Sequence, residues 1–204
     1  MTIKAIVFDI GGVLESEAPF DSWHGPWRDR LGLSTAQFRA AWATIDPDDQ
    51  MATGGMDEQE YRRRLAVALK LTSDQARACM ADLWDWYCGE LDTELLDWAA
   101  GLRPAYQTAL LSNSADGARR EELRRYPFAD LFDPIIYSHE VGLRKPDPRI
   151  YRLLCARLEL APQEIAFLDD WPASVTAASE AGIHVVLHRA TAESIAAVTA
   201  LLDR

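Results

Sequence analysis

Three carboxylates, a hydroxyl, an amide and one ammonium group stand at or just beyond the ends of short apolar runs in this 204-residue chain. Asp9 follows the run 3–8, Ser112 and Asn113 follow 108–111, and Asp169 with Asp170 follow 165–168. Lys145 lies in Gly142-Leu143-Arg144-Lys145-Pro146-Asp147-Pro148, where a glycine and two prolines stiffen a loop able to aim its ammonium group. Carboxylates that converge repel one another, so either a proton is retained or a cation sits among them, and hard oxygen ligands suit Mg²⁺. A bound Mg²⁺ attracts phosphate. A carboxylate beside it can attack phosphorus in line while a lysine neutralises the equatorial oxygens and a serine hydroxyl donates to one of them. That combination is aspartyl-phosphate chemistry.

These groups meet only if the elements that carry them share an edge. Residues 3–8 read as a buried strand closed by a turn at Asp9-Ile10-Gly11-Gly12. Beyond Pro104, strands at 108–111, 134–138, 165–168 and 183–187 alternate with helices at 116–125, 148–158, 173–181 and 193–202. Such alternation requires right-handed crossovers and predicts an α/β fold, a Rossmann-like doubly wound parallel sheet whose ligands bind at the strands' carboxyl ends. From Glu15 to Trp98 the pattern is helical with no strand, and Asp57 stands at capping-box spacing from Glu60. This block is expected to be an inserted helical cap over the site. The expected division is a catalytic core of residues 1–14 and 100–204 and a cap of residues 15–99.

At 204 residues, roughly 70% of the unfolded surface is buried on folding, so no disulfide or metal staple is needed. Thirty-two acidic against 21 basic residues give a net charge of −11, which argues against a sequence-independent hold on nucleic acid. Cys79, Cys88 and Cys155 show no metal-ligand spacing and read as reduced packing residues. Asp9 interrupts the opening apolar run too early for a secretory signal, and no run approaches membrane-spanning length. A cytoplasmic protein, monomer or homodimer, with a small-molecule partner and neither membrane nor nucleic acid, is expected.

Four segments, Phe8-Asp9-Ile10-Gly11-Gly12-Val13-Leu14, Leu111-Ser112-Asn113-Ser114, Arg144-Lys145-Pro146-Asp147-Pro148 and Phe167-Leu168-Asp169-Asp170, resemble in order the four motifs of the haloacid dehalogenase-like hydrolase superfamily. The resemblance covers residues 3–12 and about 108–188, and the helical block looks like that superfamily's small helical-bundle cap. The branch resembled contains sugar-phosphate phosphatases and the phosphatase domain of epoxide hydrolases. By this resemblance Asp9 is nucleophile and metal ligand, Asp170 binds Mg²⁺, and Asp169 supports it or pairs with Lys145. The Gly11 carbonyl is the remaining protein ligand, Ser112 and Lys145 hold the phosphoryl group, and Gly12 and Asn113 join the substrate-binding set. The implied activity is Mg²⁺-dependent hydrolysis of a small phosphomonoester, with sugar phosphates favoured.

Position 11 departs from the pattern, because many family phosphatases carry there an Asp that protonates the leaving group. Losing a general acid/base typically removes 10²- to 10⁴-fold in rate. Glu15, Glu17, Asp21 and His24 are the candidate substitutes, His24 favoured for its titration range. The departure keeps two alternatives open: a metal-independent 2-haloacid dehalogenase, and a phospholigand-binding or regulatory module without turnover. Trp23 and Trp27, four residues apart, fit helix packing, yet Trp23 with His24 also serves as a candidate substrate wall, as does Trp171. The segment Trp171-Pro172-Ala173-Ser174 lacks the asparagine usual in the family. Thr53-Gly54-Gly55-Met56 resembles the family's cap loop, and Arg119, Arg120, Arg124 and Arg125 read as a solvated helix face partnered by Glu121 and Glu122.

Overall fold

The computed structural model describes residues 2–16 and 18–203. The first half contains β1 (Ala5–Phe8), β2 (Glu15–Ser16), α1 (Phe20–Arg30), α2 (Thr35–Trp42), α3 (Glu58–Leu69), α4 (Ser73–Cys88), β3 (Glu90–Leu91) and α5 (Thr93–Gly101). There follow β4 (Gln107–Ser112), α6 (Ala118–Arg125), α7 (Phe128–Leu131), β5 (Ile135–Tyr137), α8 (Ser138–Val141) and α9 (Pro148–Leu158). The chain closes with β6 (Ile165–Asp169), α10 (Pro172–Glu180), β7 (His184–Leu187) and α11 (Thr191–Leu202).

Five strands form one sheet in the order β5-β4-β1-β6-β7, every pair parallel. The doubly wound α/β fold expected from the alternation is present. Because successive residues of a strand face opposite sides, the wholly buried β1 feeds two cores. Ile6 and Phe8 pack with Leu96, Phe128 and Val198, whereas Ala5 and Val7 pack with Ile150, Leu154 and Ala178. The helix α9 shows why the flanking layers form. Asp147 caps it by accepting from the Arg149 N–H, Pro148 starts it, and Ile150, Tyr151, Leu154 and Leu158 make one buried stripe. In β1, Phe8 stands opposite both Leu110 and Leu168. Asp9, Ser112 and Asp169 therefore emerge side by side at one edge of the sheet.

Helices α1 to α4 lie between β2 and β3, which pair antiparallel, Glu15 opposite Leu91 and Ser16 opposite Glu90. This corrects the expectation that residues 15–98 hold no strand. Two residues per strand are too few to show a period, and the ribbon exists only because the chain returns to its starting point. The return passes through Gly89 at φ +60°, where a Cβ would lie 2.1 Å from the Ser16 carbonyl oxygen. The helix α5 turns back to the sheet: Trp98 meets Phe8 edge-on at 6.2 Å and Asp92 bonds the Thr191 hydroxyl. We propose that the cap ends at this ribbon rather than at residue 99.

The helical block is docked onto the core by named polar links. The Glu58 N–H at the start of α3 donates to Asp116 Oδ2 at 2.8 Å, Arg120 Nη1 meets Glu58 Oε2 at 2.9 Å, and the Tyr126 hydroxyl donates to the Cys88 carbonyl at 2.6 Å. Arg125 pairs with Asp85, and Arg144 with Asp49. The arginines of α6 are thus partly a docking face rather than a purely solvated one. Asp57 accepts from the Glu60 N–H, but Glu60 turns its carboxylate to Arg63 and Arg64, so only half of the expected capping box forms. No helix among the described residues is long and apolar enough to cross a membrane.

Candidate active site

Lys145 is the hub of the sheet's carboxyl edge. Its Nζ lies 2.8 Å from Asp9 Oδ1 and 2.6 Å from Asp169 Oδ2, and the residue is only 1% exposed. Asn113 fixes the lysine's backbone from both sides, donating from Nδ2 to the Lys145 carbonyl at 2.9 Å and accepting the Lys145 N–H at 2.8 Å. Asp169 is fully buried and its Oδ1 accepts the Trp171 N–H at 2.8 Å, so both its oxygens are engaged. Asp9 Oδ1 also takes the Ile10 N–H at 2.8 Å, which leaves Oδ2 as the oxygen not engaged by these bonds. Burial, only partly offset by Lys145, pushes the Asp9 carboxyl up to about 7, with the charge of Asp169 adding to the rise.

Asp170 completes the acidic set, and carboxylate oxygens of Asp9, Asp169 and Asp170 all lie within 4.8 Å of one another. Burial and the charge of Asp169 raise the Asp170 carboxyl as well. Three carboxyl groups against one ammonium leave a local deficit of positive charge, and an all-oxygen donor set of this size fits Mg²⁺. Gly12 is part of the cradle: at φ +71°, a Cβ there would sit 2.3 Å from Asp170 Oδ2. Only glycine lets the first loop pass this close to Asp170.

A cavity of about 250 Å³ opens above this edge, lined in part by Asp9, Gly11, Asn113, Lys145 and Asp170. Ser112 ends β4 beneath it, 2% exposed, its Oγ donating to the Asn113 carbonyl at 3.3 Å. The cavity also takes in residues the motifs did not single out as site residues: Trp86, Tyr87, Glu122 and Ser174, together with Glu15 and Trp171. Glu122 was expected on the solvated face of α6, but it is 1% exposed and accepts from the Tyr137 hydroxyl, while its neighbour Glu121 pairs with Arg120, Arg124 and Arg125. Its position four residues after the buried Ala118 was the available signal. Burial pushes Glu122 up to about 8, and burial followed by repulsion from Glu122 pushes Glu15 up to about 9. The buried Ser174 hydroxyl has no partner among the described residues and is the last residue of the segment that lacks asparagine.

Trp23 and His24 are not brought to this cavity. His24 is fully buried in the helical block, stacked on Phe20 at 4.4 Å with its Nδ1 2.7 Å from the Phe20 carbonyl, and Trp23 packs against Trp42 at 4.8 Å. An aromatic cluster stabilises a small bundle by its buried area, which is the role these side chains have here. Of the substitutes for an acid at position 11, Glu15 lines the cavity, Asp21 has a side chain 72% exposed on α1, and Glu17 lies outside the described residues. Trp171, 43% exposed, stands at the cavity beside Asp170.

The model of the haloacid dehalogenase-like hydrolases matches residues 3–182. The chain belongs to this family. Among haloacid dehalogenase-like relatives, it is 27% identical over 192 residues to the D-ribitol-5-phosphate phosphatase of Bacteroides thetaiotaomicron, covering 88% of this chain and 89% of that one. It is 36% identical over 176 residues to the phosphoserine phosphatase of Thermus thermophilus, covering 83% and 68%. The fold is also that of a haloacid dehalogenase-like enzyme from Bacteroides thetaiotaomicron solved in complex with magnesium and inorganic phosphate, with a TM-score of 0.76, 23% identity and coverage of 92% and 95%.

Proposed function

We propose that the chain hydrolyses a small phosphomonoester in a Mg²⁺-dependent reaction through an aspartyl-phosphate at Asp9. The observation that carries this is the Lys145 ammonium group bonded to both Asp9 and Asp169, with Asp170 converging on the same point. Asp9, Asp170 and the Gly11 carbonyl would hold the ion, with Asp169 in support, and when bound it would supply neutralisation of phosphoryl charge. Asp9 Oδ2 forms the new bond to phosphorus as the ester P–O bond breaks, and the departing oxygen takes up a proton. Water then cleaves the acyl phosphate, releasing inorganic phosphate and restoring the carboxylate. Lys145 holds Asp9 in its attacking position and faces the negative charge that gathers on the phosphoryl oxygens. Ser112 donates to one of those oxygens, and Asn113 keeps Lys145 in register. The cap closes over the leaving group.

The relatives named for ribitol 5-phosphate and phosphoserine favour a small organic phosphate, with sugar phosphates first among the classes to try. With glycine at position 11, no acid stands two residues from the nucleophile, so aryl phosphates, whose leaving oxygen needs no proton, should turn over faster than alkyl ones. The test is phosphate release from p-nitrophenyl phosphate and a sugar-phosphate panel, with Mg²⁺ or EDTA. Release that needs Mg²⁺ and falls at least about 10³-fold in Asp9→Asn is the expected result. Chloride release from a 2-haloacid persisting in EDTA would instead make the chain a dehalogenase, and Mg²⁺ and beryllofluoride binding without product would make it a binding module.

A further inference from the structure

We propose that the leaving-group side of the cavity is an ammonium subsite, so that the preferred substrate is the phosphate ester of an alcohol carrying a protonated amine. The inference rests on the phosphatase reading and specifies its substrate class. The observation behind it is a pair of buried carboxyl groups to which the phosphoryl-transfer steps above assign no role. Glu15 is 2% exposed and Glu122 1% exposed, and both line the cavity with Asp9. Glu15 Oε1 has no hydrogen-bond partner among the described residues. Glu122 has the Tyr137 hydroxyl on Oε2 and no cation on either oxygen among the described residues. A buried polar atom without a partner costs free energy that a ligand can recover.

The neighbouring basic groups are already taken. Arg119 is paired with Glu140, and Arg125 with Glu121 and Asp85. Lys145, the basic residue lining the cavity, is committed to Asp9 and Asp169. Trp86 and Tyr87 from α4 and the part-exposed Trp171 line the same cavity, as do Ser16 and Ser174. Carboxyl groups lacking a cation, in a cavity that aromatic side chains also line, can receive an alkylammonium group, which gains ion pairing as the carboxyl proton is released to solvent, with cation–π attraction beside it. The same surroundings disfavour a leaving group that bears a carboxylate, because Lys145 is committed to Asp9 and Asp169 and the desolvated carboxylate would find no counter-charge. A neutral hydroxyl gains less than an ammonium from both features.

The experiment compares 2-aminoethyl phosphate, 2-hydroxyethyl phosphate and phosphoglycolate, with glucosamine 6-phosphate against glucose 6-phosphate as a sugar-sized pair and p-nitrophenyl phosphate as a reporter of the chemistry itself. The amine should exceed its hydroxyl counterpart by about tenfold or more in kcat/KM in at least one pair, with phosphoglycolate the poorest substrate. In Glu15→Gln and Glu122→Gln that ratio should collapse toward one, a readout that general loss of structure would not move, since it lowers both members of a pair alike. Parity or preference for the hydroxyl in both pairs overturns the subsite while leaving the phosphatase intact. Absence of Mg²⁺-dependent release from p-nitrophenyl phosphate overturns the phosphatase instead. In that event calorimetry on Asp9→Asn with Mg²⁺ still decides the subsite: tighter binding of 2-aminoethyl phosphate than of 2-hydroxyethyl phosphate supports it, and equal binding ends it.

Discussion

At the level of single residues, the site is built from groups that would be unfavourable alone. Lys145 and Asp169 are both buried and hold each other at 2.6 Å, so removing one leaves the other as an unpaired charge. Lys145→Met should destabilise the fold by about 3–5 kcal/mol in chemical denaturation and abolish phosphate release, whereas a lysine active only in the chemistry would leave stability unchanged. Gly12→Ala tests the cradle differently. The added methyl would overlap Asp170 Oδ2, so the concentration of Mg²⁺ needed for half-maximal activity should rise at least about tenfold while the circular dichroism stays native. An unchanged Mg²⁺ requirement would show that Asp170 is not a ligand. Asp9, Asn113, Lys145, Asp169 and Asp170 were legible in the sequence because each closes or follows an apolar run or sits in a stiff loop, a one-dimensional mark of a three-dimensional position. Glu122 and Ser174 carried no such mark. Glu121 and Glu122 are the same residue type one step apart, and only the direction of α6 on the core sends one to the arginines and the other to the cavity.

At the level of elements, local chemistry and long-range return were unequally visible. The helix α9 runs from Pro148 to Leu158 as expected, because its cap, its proline and its apolar stripe are all contained within its own residues. The ribbon of β2 and β3 is the opposite case, with partners 74 residues apart, taking Ser16 and Glu90, and no local period to announce them. Its geometry hangs on Gly89, whose backbone lies in a region only glycine adopts and passes against Ser16. Gly89→Ala should therefore cost more than about 1 kcal/mol and lower the Tm by several degrees, more than Gly32→Ala, where φ is also left-handed at +65° but the space is open, a contrast read by calorimetry of the two variants. The aromatic positions of α1 teach a related lesson. Trp23 and His24 stand where a substrate wall was conceivable, but the bundle needs its own core, and Phe20, Phe38, Trp42 and Trp86 enclose them.

At the level of the whole molecule, burial of carboxyl groups sets how stability responds to pH. Glu122 and Glu15 titrate near 8 and 9 in the folded chain against a reference of 4.5, so the folded state holds protons that the unfolded state has lost. Their contribution is fully present below about pH 4.5 and is lost as the pH rises through 8 to 9. Replacing Glu122 by Gln removes one of these penalties, so the Tm difference between Glu122→Gln and the parent protein should grow in the variant's favour from about pH 5 to pH 8. A difference independent of pH would mean that Glu122 stays ionised throughout. The sheet order has a consequence of another kind. The first strand made is the middle one, with its partners at residues 107–112 and 165–169. At about 5–20 residues per second, β6 leaves the ribosome roughly 8 to 30 s after β1. Throughout that interval Ile6, Val7 and Phe8 have no finished sheet to enter, while the helices of residues 20–88 can already form from contacts near in sequence. A nascent chain stalled before residue 165 would thus present a folded bundle tethered to an open, sticky strand, a natural client for chaperones that capture hydrophobic segments during translation.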